Sequence, residues 1–407
     1  MTKQRSAREL EQLQKNLEYT GEKLKVFIAD IIPTDCCTRE NMEDRMLEVE
    51  NLVNTYGGVV ILKHVQKRGL PDYNTYIGGG KLDEIMQEME LEGANLLILG
   101  NILKPHQIYN INERLRKIGA KAWDRVDLIL KIFERNAKST EARLQIELAA
   151  IKHMGPRIFG MGMELSRQGG GSKLARGKGE TNTEIMKRHL SKREQSIKKD
   201  LEHYAKVRAE HRKSRLRKGL DTVGVVGYTN AGKSTLTNAL TKKGVLAEDK
   251  LFATLGTSVG KMWLPTEDGK GKEILINDTI GFIRDLPPDL VDAFSSTLED
   301  SIESQILLHV VDAADPKIEE KIKVVDDILE NIGATQKKIY VFNKIDEIQE
   351  IENSEKGIIV DEEGNDKVFD NKLEYLKEKF AYLKPVFISA YKNINMEELK
   401  ERIVSEL

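Results

Sequence analysis

Residues 227–235, GYTNAGKST, combine residue types and spacing suited to phosphate. They fit G-x-x-x-x-G-K-[ST], a motif that needs a strand before it and a helix after it. Val223, Val225 and Val226 supply the strand pattern, and Gly232 to Leu240 the helical one. Gly227 and Gly232 let the backbone curl, so that N–H groups through Asn230, Ala231 and Gly232 face a polyphosphate at a helix N-terminus. Lys233 is expected to reach the β- and γ-phosphates. The Ser234 hydroxyl is expected to ligate Mg²⁺, with Thr235 beside it. A chance glycine-rich turn is the competing reading, and it leaves the strand–helix frame unexplained.

Further signals follow in order. FATLG (252–256) holds Phe252, Ala253, Thr254 and Leu255, and Thr254 stands where a switch residue would add a second Mg²⁺ ligand. In DTIG, Asp278 is placed to hold the Mg²⁺ shell and the Gly281 N–H to meet the γ-phosphate, with Thr279 and Ile280 between them. NKID supplies Asn343, Lys344 and Asp346. Asp346 can accept two hydrogen bonds from guanine that adenine cannot offer, so GTP is expected rather than ATP. SAY supplies Ser389, Ala390 and Tyr391, and brings the Ala390 N–H to the guanine oxygen. Each short motif alone is weak. Together, in order and each after a strand, they predict a Ras-like GTPase with Lys233, Thr254 and Gly281 as catalytic groups.

The residue after Gly281 is Phe282, where many GTPases carry a glutamine that orients water. Phenylalanine cannot do that. Hydrolysis must therefore use backbone groups, another residue, a monovalent cation or a partner. Asn230 resembles the asparagine with which potassium-activated GTPases ligate K⁺, and it equally suits a loop turn.

The elements that must position these residues suggest an α/β fold class in several parts. With 407 residues there is room for two or three domains. Residues 1–24 read as a polar arm. From 25 to 138, strands KVFIADII, GVVILKHV and ANLLILG alternate with helical patterns, which predicts an α/β domain with a parallel sheet. Its turn YIGGGKLDEI (76–85) either meets phosphate or caps a helix. From 139 to 219 apolar residues three and four apart predict an antiparallel helical hairpin, with Leu144, Leu148 and Ile151 on one helix (about 140–154). Met186, Leu190, Ile197, Leu201 and Tyr204 mark the other (roughly 183–215). From 220 to 407 strands and helices alternate around the phosphate loop, with a helix expected over 289–303 and an acidic, weakly patterned insertion over 350–371.

The hairpin is basic. Between Lys187 and Lys218 stand thirteen Lys or Arg against four Asp or Glu, although the whole chain carries a net charge of only −2. The tip, 164–181, is read as long and flexible. It is rich in glycine, adds Arg167, Lys173, Arg176 and Lys178, and has no aromatic residue, so it suits phosphate contacts and RNA shape. A solvated charged face is the plainer alternative. The only cysteines, Cys36 and Cys37, form no metal-ligand spacing, and the start of the chain lacks an apolar signal core. A cytoplasmic monomer is expected.

The chain resembles the HflX family of GTPases from about residue 25 onward. The resemblance rests on GGGK (78–81), WDRVDLILKIFERNA (123–137), EARLQIELA (141–149), LSRQGGG (165–171) and RGKGET (176–181). GYTNAGKST, FATL and DTIGFIRDLP (278–287) extend it. It implies a GTPase that binds the large ribosomal subunit and its rRNA and splits or rescues stalled ribosomes under stress. A nucleotide-gated assembly or hibernation factor is the alternative. Some relatives show an ATP-linked activity in the N-terminal region, which GGGK makes conceivable. Phenylalanine after DTIG is a family habit. Gly256 replaces the usual aspartate, Lys178 replaces the usual proline, and no C-terminal extension is expected.

Overall fold

The computed structural model describes the chain apart from residues 1–23, 33–38, 138, 169–172, 218, 242–257, 265–270, 280, 284–289, 291–303, 351–356, 361–365 and 370. It divides into two compact units. One takes the described residues up to Ile132 together with His153–Lys187, and the other takes Phe133–Lys152 and Arg188–Leu407.

In the first unit, β1 (Lys25–Ile32), β2 (Val59–Lys67), β3 (Leu96–Leu99) and β4 (Lys121–Trp123) form a parallel sheet in the order β2-β1-β3-β4. Parallel strands need crossovers, and α1 (Arg39–Tyr56), α2 (Gly79–Glu92) and α3 (Pro105–Leu115) supply them. Phe27, Ala29, Leu97 and Leu99 pack with Leu82, Ile85 and Met89 of α2 and with Ile108, Ile111 and Leu115 of α3. Gly93 ends α2 at φ 63, a left-handed position where glycine has no steric penalty. The short strand β4 was not separately predicted. Asn112 of α3 holds it in place, accepting from the Ala122 N–H at 2.8 Å and donating to the Ala122 carbonyl at 3.2 Å.

The second unit is built on six strands in the order β12-β9-β8-β5-β7-β6. These are β5 (Asp221–Gly227), β6 (Ser258–Leu264), β7 (Lys272–Asp278), β8 (Ile306–Asp312), β9 (Lys337–Asn343) and β12 (Val386–Phe387). All pairings are parallel except β6 with β7. Val223, Val225, Ile274, Ile276, Leu308 and Val341 fill the middle of its core. Helices α7 (Lys233–Thr241), α8 (Ile318–Asn331), α9 (Ile345–Glu350), α10 (Lys372–Lys379) and α11 (Met396–Glu406) accompany the sheet. The helix predicted over 289–303 lies almost wholly outside the described residues. The acidic insertion departs from expectation. β10 (Gly357–Val360) and β11 (Asp366–Phe369) pair antiparallel there, because GIIV and DKVF are rich in β-branched and aromatic residues.

Two long helices, α5 (Thr140–Gln168) and α6 (Lys173–Arg217), follow α4 (Arg125–Asn136). They run further than the glycines suggested: of the tip expected over 164–181, residues 164–168 and 173–181 are helical and 169–172 lie outside the described residues. A glycine inside a helix costs only about 1 kcal/mol, too little to stop one. Within the second unit, Glu147 of α5 takes two 2.6 Å hydrogen bonds from Arg193 of α6. Glu141 pairs with Arg208. The pairings run in opposite chain directions, as an antiparallel hairpin requires.

Within the first unit, the start of α4 carries a buried ionic network. Asp124 and Asp127 cap each other's backbone: the Asp127 N–H donates to Asp124 Oδ1 at 2.9 Å, and the Asp124 N–H to Asp127 Oδ2 at 3.1 Å. From α5, Arg157 donates to both Asp127 oxygens at 2.8 and 2.6 Å and also pairs with Asp124. His153 lies 3.3 Å from Asp124 and 3.5 Å from Asp127. Burial disfavours its charge, but the hydrogen bonds it donates to the two carboxylates outweigh that and raise its pKa from 6.5 to about 9. Its contribution to stability is therefore complete below pH 6.5 and lost as pH rises through about 9.

Trp123 adjoins this network and is buried, so its fluorescence reports on it in a Trp263→Phe background. Arg157→Met, which removes the guanidinium from buried Asp124 and partly buried Asp127, should lower unfolding free energy by about 3 kcal/mol in denaturant titrations. His153→Asn should flatten the decline in stability between neutral pH and about pH 9. An unchanged pH profile in that variant would show that His153 does not titrate as described.

Candidate functional site

β5 lies between β7 and β8, and from its carboxyl end the chain turns into α7. Ligands of open parallel sheets bind outside such strand ends. The glycines of the turn are dictated by close approach. A Cβ on Gly227 would sit 2.3 Å from the Val310 carbonyl oxygen. At Gly232, with φ of 88, it would sit 2.3 Å from Asn343 Nδ2. Asn230 holds φ at 63, a left-handed position that asparagine tolerates, and its side chain is exposed.

Lys233 is buried and its Nζ donates to the Tyr228 carbonyl at 2.7 Å. Burial pushes its pKa down to about 8, with the Asp278 charge acting the other way. Ser234 Oγ donates to Asp278 Oδ2 at 3.0 Å, and the Thr279 hydroxyl donates to the Val225 carbonyl at 2.6 Å. The DTIG turn therefore packs against the loop. A Cβ on Gly281 would come within 2.8 Å of Lys233 Nζ, so the turn has no room there for a side chain. Phe282 is buried, and its backbone is pinned to the loop on both sides. The Thr229 N–H donates to the Phe282 carbonyl at 2.7 Å, and the Phe282 N–H to the Gly227 carbonyl at 3.1 Å.

A second pair of loops faces the first. Asn343, at the end of β9, donates through Nδ2 to the Ala231 carbonyl at 3.0 Å and accepts through Oδ1 from the Ala390 N–H at 2.9 Å. Its amide thus ties the phosphate loop to the SAY loop. Lys344, at φ 67, pairs with Asp312 at 2.8 Å. Asp346 is 8% exposed, and its Oδ1 has no hydrogen-bond partner among the described residues. Its other oxygen lies 3.8 Å from Lys392. Ser389 is fully buried and accepts from the Lys392 N–H at 3.0 Å, while Tyr391 is exposed.

The structure thus gathers Gly227, Asn230, Ala231, Gly232, Lys233, Ser234, Asp278, Thr279, Gly281, Asn343 and Ala390 at the neighbouring ends of β5, β7, β9 and β12, with Asp346 at the start of α9. Thr235 is half-buried in the first turn of α7. Phe252, Ala253, Thr254, Leu255 and Ile280 lie outside the described residues. Arg167 falls near the end of α5, and Lys173, Arg176 and Lys178 in the first turns of α6. GGGK begins α2: the Gly78 N–H donates to Gln66 Oε1 at 2.7 Å, and Lys81 pairs with Glu84. Sequence reasoning missed Asp312, Lys392 and Lys321, whose ammonium lies 5.0 Å from the centre of the Tyr228 ring. Only Asp312 carried a signal, a carboxylate at the carboxyl end of a strand.

A Mg²⁺ ion fits the hard oxygen donors of Ser234 and Asp278, which already lie within 3.0 Å of each other. Asp124, Asp127 and His153 also lie close enough to share a metal among the described residues. There the Arg157 guanidinium occupies the carboxylates instead.

Comparison with known proteins matches three family models along the chain. Residues 43–134 match "GTP-binding GTPase N-terminal", 136–215 "GTP-binding GTPase Middle Region" and 222–344 "50S ribosome-binding GTPase". GTPase HflX of Caldanaerobacter subterraneus subsp. tengcongensis is 45% identical over 75% of this chain and 69% of that protein. GTPase HflX of Flavobacterium psychrophilum is 36% identical over 93% of this chain and 89% of that protein. The crystal structure of SsGBP in complex with GDP matches with a TM-score of 0.50 and 26% identity, covering 94% of this chain and 98% of that one.

Asn343→Ala removes both ends of the amide bridge. With about 1 kcal/mol per hydrogen bond, affinity for GDP should fall roughly ten- to hundredfold, as read by a fluorescent GDP analogue. Wild-type affinity in that variant would mean that the two loops hold their places without the bridge.

Proposed function

The chain belongs to the HflX family of GTPases and hydrolyses GTP, and from that premise we propose that it binds the large ribosomal subunit and splits or rescues stalled ribosomes under stress. The observation that carries the nucleotide assignment is the partnerless, buried Oδ1 of Asp346. Leaving such an oxygen unpaired is costly, and guanine N1–H and N2–H would satisfy it. The family description "50S ribosome-binding GTPase" over residues 222–344 supports the partner.

In this reading the N–H groups from Asn230 to Ser234 and the Lys233 ammonium hold the phosphates. The Gly281 N–H meets the γ-phosphate, and Thr254 joins it from the switch segment. Ser234, Thr254 and, through its shell, Asp278 would hold Mg²⁺, which when bound neutralises phosphate charge. Lys233 stabilises the charge that develops as the γ-phosphoryl group leaves. The buried Phe282 supplies no water-orienting group, which supports hydrolysis completed by the ribosome, with K⁺ at Asn230 as an aid. Arg167, Lys173, Arg176 and Lys178 would contact rRNA. The working division is an arm (1–24), an α/β domain (25–138), a hairpin (139–219) and a GTPase domain (220–407). A cytoplasmic monomer is proposed; no helix among the described residues is long and apolar enough to cross a membrane.

Hydrolysis of GTP in potassium buffer, with and without purified large subunits, tests the reading. Strong stimulation is expected, and Arg167→Ala with Arg176→Ala should weaken subunit binding while sparing GTP. Tight GTP binding without stimulation would favour a nucleotide-gated assembly or hibernation factor. Asp346→Asn should shift preference from guanine to xanthine nucleotides, because the side-chain amide can donate to the added oxygen. Retained guanine preference would refute the base assignment.

A further inference from the structure

The described cations of α6 differ in their partners. Arg193 and Arg208 turn toward α5 and are neutralised by Glu147 and Glu141. On the other side Lys192, Lys199, Lys206 and Lys213 recur at every seventh residue, and Arg188 and Arg217 extend the row by about one turn at each end. At about 100° per residue the six fall within an arc of about 60°, opposite the buried Ile197. All six are exposed, and none forms an ion pair with another described residue. Glu202 and Glu210 border the same face, leaving six positive charges against two negative.

At a rise of about 1.5 Å per residue the row is about 44 Å long. Its length and its ligand chemistry narrow the partner. Readers of single strands need aromatic platforms, and the row carries none. A continuous helical row of cations about 44 Å long instead matches a duplex, whose readers span roughly 16 base pairs through phosphate and sugar contacts. We propose that this face of α6 binds the phosphate backbone of double-stranded RNA without regard to sequence. The proposal deepens the ribosomal reading by naming a second RNA surface apart from the tip residues, and it is tested on RNA alone.

The test uses the full chain and a labelled RNA duplex of roughly 20 base pairs, with affinity measured by anisotropy between about 50 and 200 mM KCl. Wild-type affinity should fall steeply and linearly with salt on logarithmic axes, equally for two unrelated sequences. Replacing Lys192, Lys199, Lys206 and Lys213 by Gln should reduce that slope by about 3 to 4 and weaken binding at least tenfold at about 100 mM KCl. Arg193→Gln, already neutralised, should leave the slope unchanged. Circular dichroism and unstimulated GTP hydrolysis should match wild type in every variant. No duplex binding by the wild type, or an unaltered slope in the quadruple variant, overturns the proposal. If the slope falls as expected but large subunits never stimulate hydrolysis, the ribosomal reading fails and the row stands. Stimulation without duplex binding removes the row alone.

Discussion

One planar amide, that of Asn343, sets the geometry on which the nucleotide site depends. The strand ends of β5, β9 and β12 bring their loops near one another but do not fix their separation. Asn343 does so by donating to Ala231 and accepting from Ala390. The same amide stands where a Cβ on residue 232 would be, which is why that position must be glycine. The spacing between the phosphate end and the base end of the site is thus the width of one side-chain amide. An amide is suited to this because it offers a donor and an acceptor in a fixed plane.

Backbone, rather than side-chain, chemistry dominates the other end of the site. Gly281 lies against Lys233, and Phe282 is held by two main-chain bonds to Gly227 and Thr229. A main-chain clamp keeps the DTIG turn in register whatever the next side chain is, so burying Phe282 does not loosen it. The arrangement removes an obvious water-positioning group while preserving the N–H proposed to meet phosphate.

Much of this was legible in the sequence because the determinants are local. The phosphate loop, DTIG, NKID and SAY each follow a strand whose apolar run is unambiguous, and each reads as a short contiguous stretch. The Asn343 bridge was not legible, since it joins residues 112 and 47 positions apart. The same holds for the network that joins Arg157 and His153 to the start of α4. The antiparallel pair β10 and β11 was hidden by acidic flanking residues that masked the β-branched character of GIIV. The ends of α5 and α6 were not legible from the glycines near them, because the energetic penalty of a helical glycine is small beside that of proline.

Lys233 has a consequence that concerns heat and protons more than geometry. Its ammonium is held at a pKa of about 8, so near-neutral solution leaves a minority of molecules with an uncharged amine. A polyphosphate seated on it would restore the full charge, and nucleotide binding would then draw a fraction of a proton from the medium. The calorimetric enthalpy of binding would depend on the buffer's own ionisation heat, and binding would weaken as alkalinity increases. The burial that isolates the lysine from water thereby makes nucleotide affinity a function of the proton supply.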